Sequence, residues 1–127
     1  MYSEAMKPLF HPSIKDITVE AVLYALSDPV RVRIFTEIAS CEGYKNCSNF
    51  RTHNSNDIPK STLSQHFKIL REAGLVRSAR HGVELHNTTR CSELKERFGP
   101  MISEIIAAYT AQDKKRKTKA LRKTTRE

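Results

Sequence analysis

The sequence predicts a mainly α-helical protein with one small β-hairpin. Residues 58–75 carry the strongest signal, because Leu63, Phe67 and Leu70 recur at the spacing of one helix face. Two short extended runs separated by a tight turn follow this helix directly. Apolar residues at helical spacing recur on both sides of these elements, and the 127 residues suit one domain with a small core.

The sequence of the N-terminal part predicts an irregular arm over residues 1–15, followed by two helices. The first helix begins at Asp16 or Thr18, where the apolar periodicity starts. Asp28-Pro29 signals the start of the second helix, because aspartate caps a helix and proline suits its first turn. This helix is expected to end near residues 41–43. The polar residues 44–57 predict a short helix followed by a loop.

The C-terminal part continues from the helix over residues 58–75, which Gly74 ends. The hairpin follows, with a tight turn at His81-Gly82. Thr88 or Thr89 is expected to cap the next helix, and Gly99-Pro100 separates that helix from the last one. We expect the folded domain to span residues 16–112, and residues 113–127 to form a basic, disordered tail.

The element order is that of a winged helix-turn-helix, in which the second helix of the motif enters the major groove. The helix over residues 58–75 supports this reading, because its polar face has no acidic residue before Glu72. Hydroxyl, amide and cationic groups bond phosphates and base edges. The predicted DNA-contacting residues are Lys60, Ser61, Thr62, Ser64, Gln65, His66, Lys68 and Arg71 on the helix and Arg77, Arg80 and His81 on the hairpin.

The distribution of charge also indicates a polyanionic partner. The formal net charge is +8, and it is concentrated in two segments. Residues 51–81 hold six lysine or arginine residues against two acidic ones, and residues 113–127 hold eight against two. The rest of the chain is close to neutral. Such segregation is typical of nucleic-acid binding, and double-stranded DNA is the predicted partner.

No apolar run approaches the length needed to cross a bilayer, and the N-terminus lacks the apolar segment of a secretory signal. We therefore predict a cytoplasmic protein that does not bind membranes. Cys91 and Arg97 have the spacing of a cysteine phosphatase, but the intervening residues are helix-forming and acidic instead of a glycine-rich phosphate loop. An enzyme is therefore not expected.

Two stretches resemble the ArsR/SmtB family of bacterial winged-helix repressors. Residues 25–35, ALSDPVRVRIF, are similar to the family pattern A-L-x-D-P-T-R-x-x-I-L. Residues 61–76, STLSQHFKILREAGLV, are similar to S-T-V-S-H-H-L-K-V-L-R-E-A-G-L-V, with Gln65 in place of the first histidine. The resemblance implies a homodimer that forms through its first and last helices. The implied interface residues are Val19, Val22, Leu23, Ile102, Ile105, Ile106 and Tyr109.

Many members of that family sense metals, but the familiar ligand patterns are missing from this sequence. The last helix contains no histidine, and no Cys-x-Cys motif precedes the recognition helix. No metal and no cofactor are predicted. Cys41, Cys47 and Cys91 could form a thiol switch if two of them meet, or they could be small buried hydrophobic residues. The inducer is not identified by the sequence.

The preferred function is a sequence-specific transcriptional regulator, a homodimeric repressor on an inverted-repeat operator. The alternative is a nucleic-acid-binding or architectural protein of low specificity that binds through its tail. Ser64 and Gln65 favour the first reading, because a non-specific binder needs only cations on this face.

Overall fold

A computed structural model describes residues 9–40 and 58–125. A 3₁₀ turn at Ile14–Asp16 precedes the first α-helix. The elements that follow are α1 (Val19–Ala25), α2 (Pro29–Ser40), α3 (Lys60–Glu72), β1 (Val76–His81), β2 (Glu84–Thr89), α4 (Cys91–Phe98) and α5 (Met101–Thr125). The predicted fold class is confirmed. The predicted end of the second helix, the short helix and the loop fall at residues 41–57, outside the described part of the chain.

The first two helices begin where the sequence places them, and side chains cap both. The Thr18 hydroxyl accepts a hydrogen bond from the Ala21 N–H at 3.2 Å. The Asp28 carboxylate accepts one from the Val30 N–H at 2.8 Å. Each cap satisfies a backbone donor that has no partner inside its own helix, which contributes roughly 1 kcal/mol.

The apolar stripe of α3 lies at the centre of the core. Leu63, Phe67 and Leu70 are almost fully buried, and they belong to one cluster with side chains from α1, α2, α4 and α5. Full burial of such side chains stabilises the fold by about 1.5–3 kcal/mol each. The opposite face of α3 is thereby fixed towards solvent.

A Schellman motif joins α3 to the hairpin. The N–H of Leu75 donates to the carbonyl of Leu70, and the N–H of Gly74 donates to that of Arg71. Gly74 has a φ of +87°, and a Cβ at this position would lie 2.5 Å from Cγ1 of Ile17. Both the backbone conformation and the close contact therefore require glycine here. Leu75 and Val76 are fully buried, so the hairpin is anchored directly to the core.

The hairpin is antiparallel, and its turn lies one residue later than predicted. His81 pairs with Glu84, so Gly82 and Val83 form the turn instead of His81 and Gly82. Gly82 has a φ of +66°, and among the described residues no other type has a positive φ. Glycine at the first of two central positions is the requirement of a type II′ turn, whose twist matches that of the strands.

The predicted threonine cap of the next helix is wrong. Thr88 and Thr89 belong to β2, where they pair with Arg77 and Val76. The N-cap position of α4 is Arg90, whose side chain makes no capping hydrogen bond. Pairing in the hairpin therefore takes precedence over the local capping preference of threonine.

The last helix differs from the prediction, because α5 continues as one helix to Thr125. Residues 113–125 are thus helical and not disordered. The sequence after Pro100 contains no glycine or proline, and lysine, arginine and alanine all favour helix. The docked first turns supply the nucleus from which the helix can propagate. The side chains of residues 110–121 are exposed.

Within the residues that the structure describes, no helix is both long enough and apolar enough to cross a membrane.

Candidate nucleic-acid interface

The exposed face of α3 brings together most of the residues predicted to contact DNA. Six side chains are exposed on it, namely Lys60, Ser61, Thr62, Ser64, Gln65 and Lys68. Pro59 occupies the N-cap position, and no side chain caps the helix there. The first N–H groups of α3 thus lie beside these side chains, where the helix dipole favours a phosphate.

Two predicted DNA residues of α3, His66 and Arg71, are only half-exposed. Nδ1 of His66 lies 3.3 Å from a guanidinium nitrogen of Arg31, a residue of α2. Burial lowers the pKa of His66, Arg31 lowers it further, and Asp28 opposes the change. His66 is therefore held by the protein before any DNA arrives.

The hairpin presents cations and an apolar tip. Arg80 and His81 are exposed, and Val83 is completely exposed in the turn. The ring of His81 stacks on that of His86 with centroids 4.2 Å apart. Nε2 of His86 lies 3.0 Å from a carboxylate oxygen of Glu84. The tip thus offers the positive and aromatic groups that a wing places against a groove or its phosphates.

Arg77, the third predicted wing residue, takes part in an ion pair. Its guanidinium donates to Oε1 of Glu93 at 3.0 Å. Arg90 is almost completely buried and donates to both oxygens of the same carboxylate, at 3.2 and 2.7 Å. The hydrogen bonds from Arg90 are the main reason that the pKa of Glu93 is lowered. The Arg77 pair is exposed, so it is weak enough to be exchanged for a phosphate.

The N-terminal arm packs on the base of the wing, which the sequence did not indicate. Nε2 of His11 accepts a hydrogen bond from the Ser78 N–H at 3.0 Å. Arg90 donates to the carbonyl of Pro12 at 2.7 Å. Ser78 in turn donates to Oδ1 of the buried Asn87 at 2.6 Å. These contacts fix the strands from which the wing projects.

The arm contact makes stability depend on pH. Burial is the main cause that lowers the pKa of His11, and Arg77, Arg71 and Arg90 lower it further. Because the pKa of His11 is lower in the folded state than in the unfolded chain, the folded state binds fewer protons. The stabilising effect of neutral His11 is therefore complete above the ordinary pKa of 6.5. This stabilisation is lost as the pH falls from 6.5 through the pKa of His11 in the folded state.

We therefore expect the melting temperature to decrease between about pH 7 and pH 5. The decrease should be smaller in His11→Gln, whose amide oxygen can occupy the place of Nε2 without titrating. The exposed substitution Ser92→Ala is the matched control and should keep the wild-type profile. A melting temperature of His11→Gln that follows the wild-type profile would show that His11 does not couple pH to folding.

The comparisons with known proteins agree with this geometry. A model of a helix-turn-helix domain family matches residues 26–79, which include α3 and most of β1. A solved structure described as an ArsR-like transcriptional regulator from Rhodococcus sp. RHA1 superposes with a TM-score of 0.54. The sequences are 25% identical, and the match covers 80% of this chain and 91% of the other. The chain has an ArsR-like winged helix-turn-helix fold. No curated protein matches the sequence.

Two of the residues predicted for the dimer interface are buried in the core of the single chain. Val22 is 0% exposed and Ile102 is 7% exposed. Val19 and Leu23 are 43% and 50% exposed on α1. Ile105, Ile106 and Tyr109 are partly buried against the core. Tyr24 is 61% exposed and extends the apolar surface of α1.

A cavity of about 670 Å³ lies between α2, α4 and α5. Phe35, Leu94 and Ile102 contribute to its apolar wall, and Ile106 and Cys91 also line it. Ile102 and Ile106 are shared with the predicted dimer face. Cys91 is exposed with a free thiol, whereas Cys41 and Cys47 lie outside the described residues. Within residues 9–40 and 58–125, no group of three histidine, cysteine or acidic side chains could hold a metal.

Proposed function

We propose that this protein is a homodimeric transcriptional repressor that binds an inverted-repeat operator in double-stranded DNA. The observation that carries the proposal is the exposed face of α3, which joins Ser64 and Gln65 to cations at the position of a recognition helix. The similar solved structure is described as a transcriptional regulator. The repressor role follows the resemblance to the ArsR/SmtB family, and the proposal includes action in the cytoplasm and no catalysis.

The proposed dimer rests on the apolar surface that a single protomer leaves uncovered. Val19, Leu23 and Tyr24 are adjacent on α1 and strongly exposed. Contiguous exposed apolar residues usually mark an interface. A two-fold dimer would present two α3 helices to half-sites one helical turn apart, about 34 Å, which is the reason for expecting an inverted repeat.

The first experiment tests the dimer. Ile105→Asp with Tyr109→Asp should convert the protein to a monomer and strongly weaken operator binding. Sedimentation at micromolar concentration should give about twice the chain mass for the wild type and the single mass for the variant. Because both side chains are partly buried, Val19→Asp with Leu23→Asp provides a second test at exposed positions.

Ala111→Asp with Gln112→Asp adds the same charge at exposed sites of α5 and should remain dimeric. A wild-type protein that sediments as a monomer at micromolar concentration would contradict the proposed dimer. The operator itself can be identified by genomic footprinting of bound sites.

A second candidate function is supported by the basic part of α5. Residues 114–121 are exposed and include Lys114, Lys115, Arg116, Lys117 and Lys119. Such a helix can bind any duplex through its phosphates. The protein would then be an architectural or low-specificity nucleic-acid binder. The ratio of operator affinity to random-DNA affinity decides between the two functions.

The regulation of the proposed repressor is predicted to be independent of the common metal effectors. Zinc, cadmium and arsenite should leave operator affinity nearly unchanged, because the sequence lacks the usual ligand patterns. We expect peroxide to act if two of the cysteines form a pair. Replacing Cys41, Cys47 and Cys91 by serine and titrating DNA with and without peroxide tests this point. Metal-dependent release of DNA would contradict the prediction.

A further inference from the structure

Arg31 connects α1, α2 and α3 through a single buried side chain. It is 6% exposed, and its Nε donates to the carbonyl of Ala25 at 2.8 Å. Nη2 donates to the carbonyl of Tyr24 at 3.1 Å, and the guanidinium lies 5.2 Å from the centre of the Tyr24 ring. Nη1 lies 3.3 Å from Nδ1 of His66 and 3.6 Å from a carboxylate oxygen of Asp28.

The contact with Arg31 determines where His66 carries its proton. A guanidinium has only donors and remains charged at all ordinary pH values. Nδ1 of His66 must therefore accept the hydrogen bond through its lone pair. The single ring proton of the neutral side chain is then on Nε2. Protonation of Nδ1 would remove the acceptor and place a second cation 3.3 Å from Arg31.

We infer that Arg31 is a positioning residue that holds the recognition helix through the neutral form of His66, so that protonation of His66 weakens operator binding. The inference rests on the proposed function. It assigns to Arg31 a role in DNA recognition although Arg31 is buried on α2. Arg31 also connects α3 to Tyr24 and Ala25, at the C-terminal end of α1, which is the helix that the proposed dimer uses.

The sign of the expected pH dependence is unusual. A histidine that faces phosphates is normally favoured in its charged form by the DNA, so binding tightens as the pH falls. Burial is the main cause that disfavours the charged form of His66, and the charge of Arg31 acts in the same direction. Asp28 favours protonation, but its carboxylate lies 3.6 Å from Arg31 and does not reverse the lowering of the pKa. Binding that depends on neutral His66 therefore weakens as the pH falls.

The first test needs no DNA. Nitrogen NMR of the histidine rings in the free full-length protein should show Nδ1 of His66 without a proton and Nε2 with one near neutral pH. Arg31→Lys should alter this signature and the titration of His66, because lysine cannot reproduce the geometry of the guanidinium. A protonated Nδ1 in the wild type would overturn the inference.

The second test measures operator affinity between about pH 8 and pH 5.5. In the wild type, the dissociation constant should rise below the pKa of His66 by up to about tenfold per pH unit for each linked proton, and thus by up to about a hundredfold for a dimer with two copies of His66. His66→Asn places an amide oxygen near the position of Nδ1 and does not titrate, so this dependence should disappear. His66→Gln places its amide nearer to Nε2 and should bind more weakly than His66→Asn at pH 8.

The matched control changes exposed residues of α4 instead. Ser92→Ala with Glu96→Ala should retain the wild-type loss of affinity at low pH. Affinity that rises as the pH falls, or an unchanged loss in His66→Asn, would overturn the inference. An absence of operator preference at every pH would instead refute the proposed function, so the two failures are distinguishable.

Discussion

Ser64→Ala combined with Gln65→Ala should weaken operator binding by roughly 30-fold or more and leave binding to random DNA almost unchanged. Both side chains are exposed on α3, where a major groove would lie. Loss of a base-edge contact costs about 1–3 kcal/mol on the operator, whereas random DNA offers no matching contact to lose. Fluorescence anisotropy with both DNAs at one salt concentration measures the two affinities.

Ser92→Ala with Glu96→Ala is the matched control for this variant, because both residues are exposed on α4. The control should retain the ratio of operator to random-DNA affinity. An equal loss on both DNAs in the α3 variant would mean that α3 contacts only the backbone. The base-reading element would then have to be sought elsewhere.

Truncation after Asp113 should have the opposite effect to the α3 variant, because it should weaken binding to both DNAs. It removes eight lysine or arginine residues, and those described by the structure up to Lys119 have exposed side chains. If they lie along the duplex, each neutralised phosphate contributes about 0.9 to the slope of log affinity against log salt. Operator and random DNA should both be bound more weakly, the salt dependence should become flatter, and the affinity ratio should hardly change.

A full-length variant with fewer positive charges separates the charge from the length of α5. Replacing Lys114, Lys115, Lys117 and Lys119 by glutamine keeps the helical propensity of the segment. This variant should show part of the flattening, and circular dichroism should show unchanged helicity. A truncation that changes the affinity ratio while the α3 variant leaves it unchanged would contradict both predictions.

Local signals account for most of what the sequence predicted correctly. The starts of α1 and α2 follow from Thr18 and Asp28, and the position of α3 follows from an apolar stripe that Gly74 ends. Each of these signals acts within a few residues. The tail was predicted wrongly because composition argued for disorder, whereas helix propensity and a docked first part of α5 argue for helix.

Long-range contacts account for what the sequence did not indicate. Arg31 meets His66, His11 meets Ser78, and Arg90 meets Pro12, at separations of 35, 67 and 78 residues. Periodicity and capping rules contain no information about such pairs. One signal for Arg31 was present, because it shares the helix face of Phe35 and Ile38. A charged residue on a buried face indicates a specific partner.

The contact between Gly74 and Ile17 bears on where an autonomous fragment of this chain can begin. The helix-turn-helix family match starts at residue 26, yet Ile17 is 1% exposed and fits directly against Gly74. A fragment that begins at the start of that match would lack Ile17, and a cavity would remain beneath the Schellman motif between α3 and the hairpin. The smallest piece that folds must therefore include the residues before α1, and swapping only the matched segment between relatives would exchange an incomplete module.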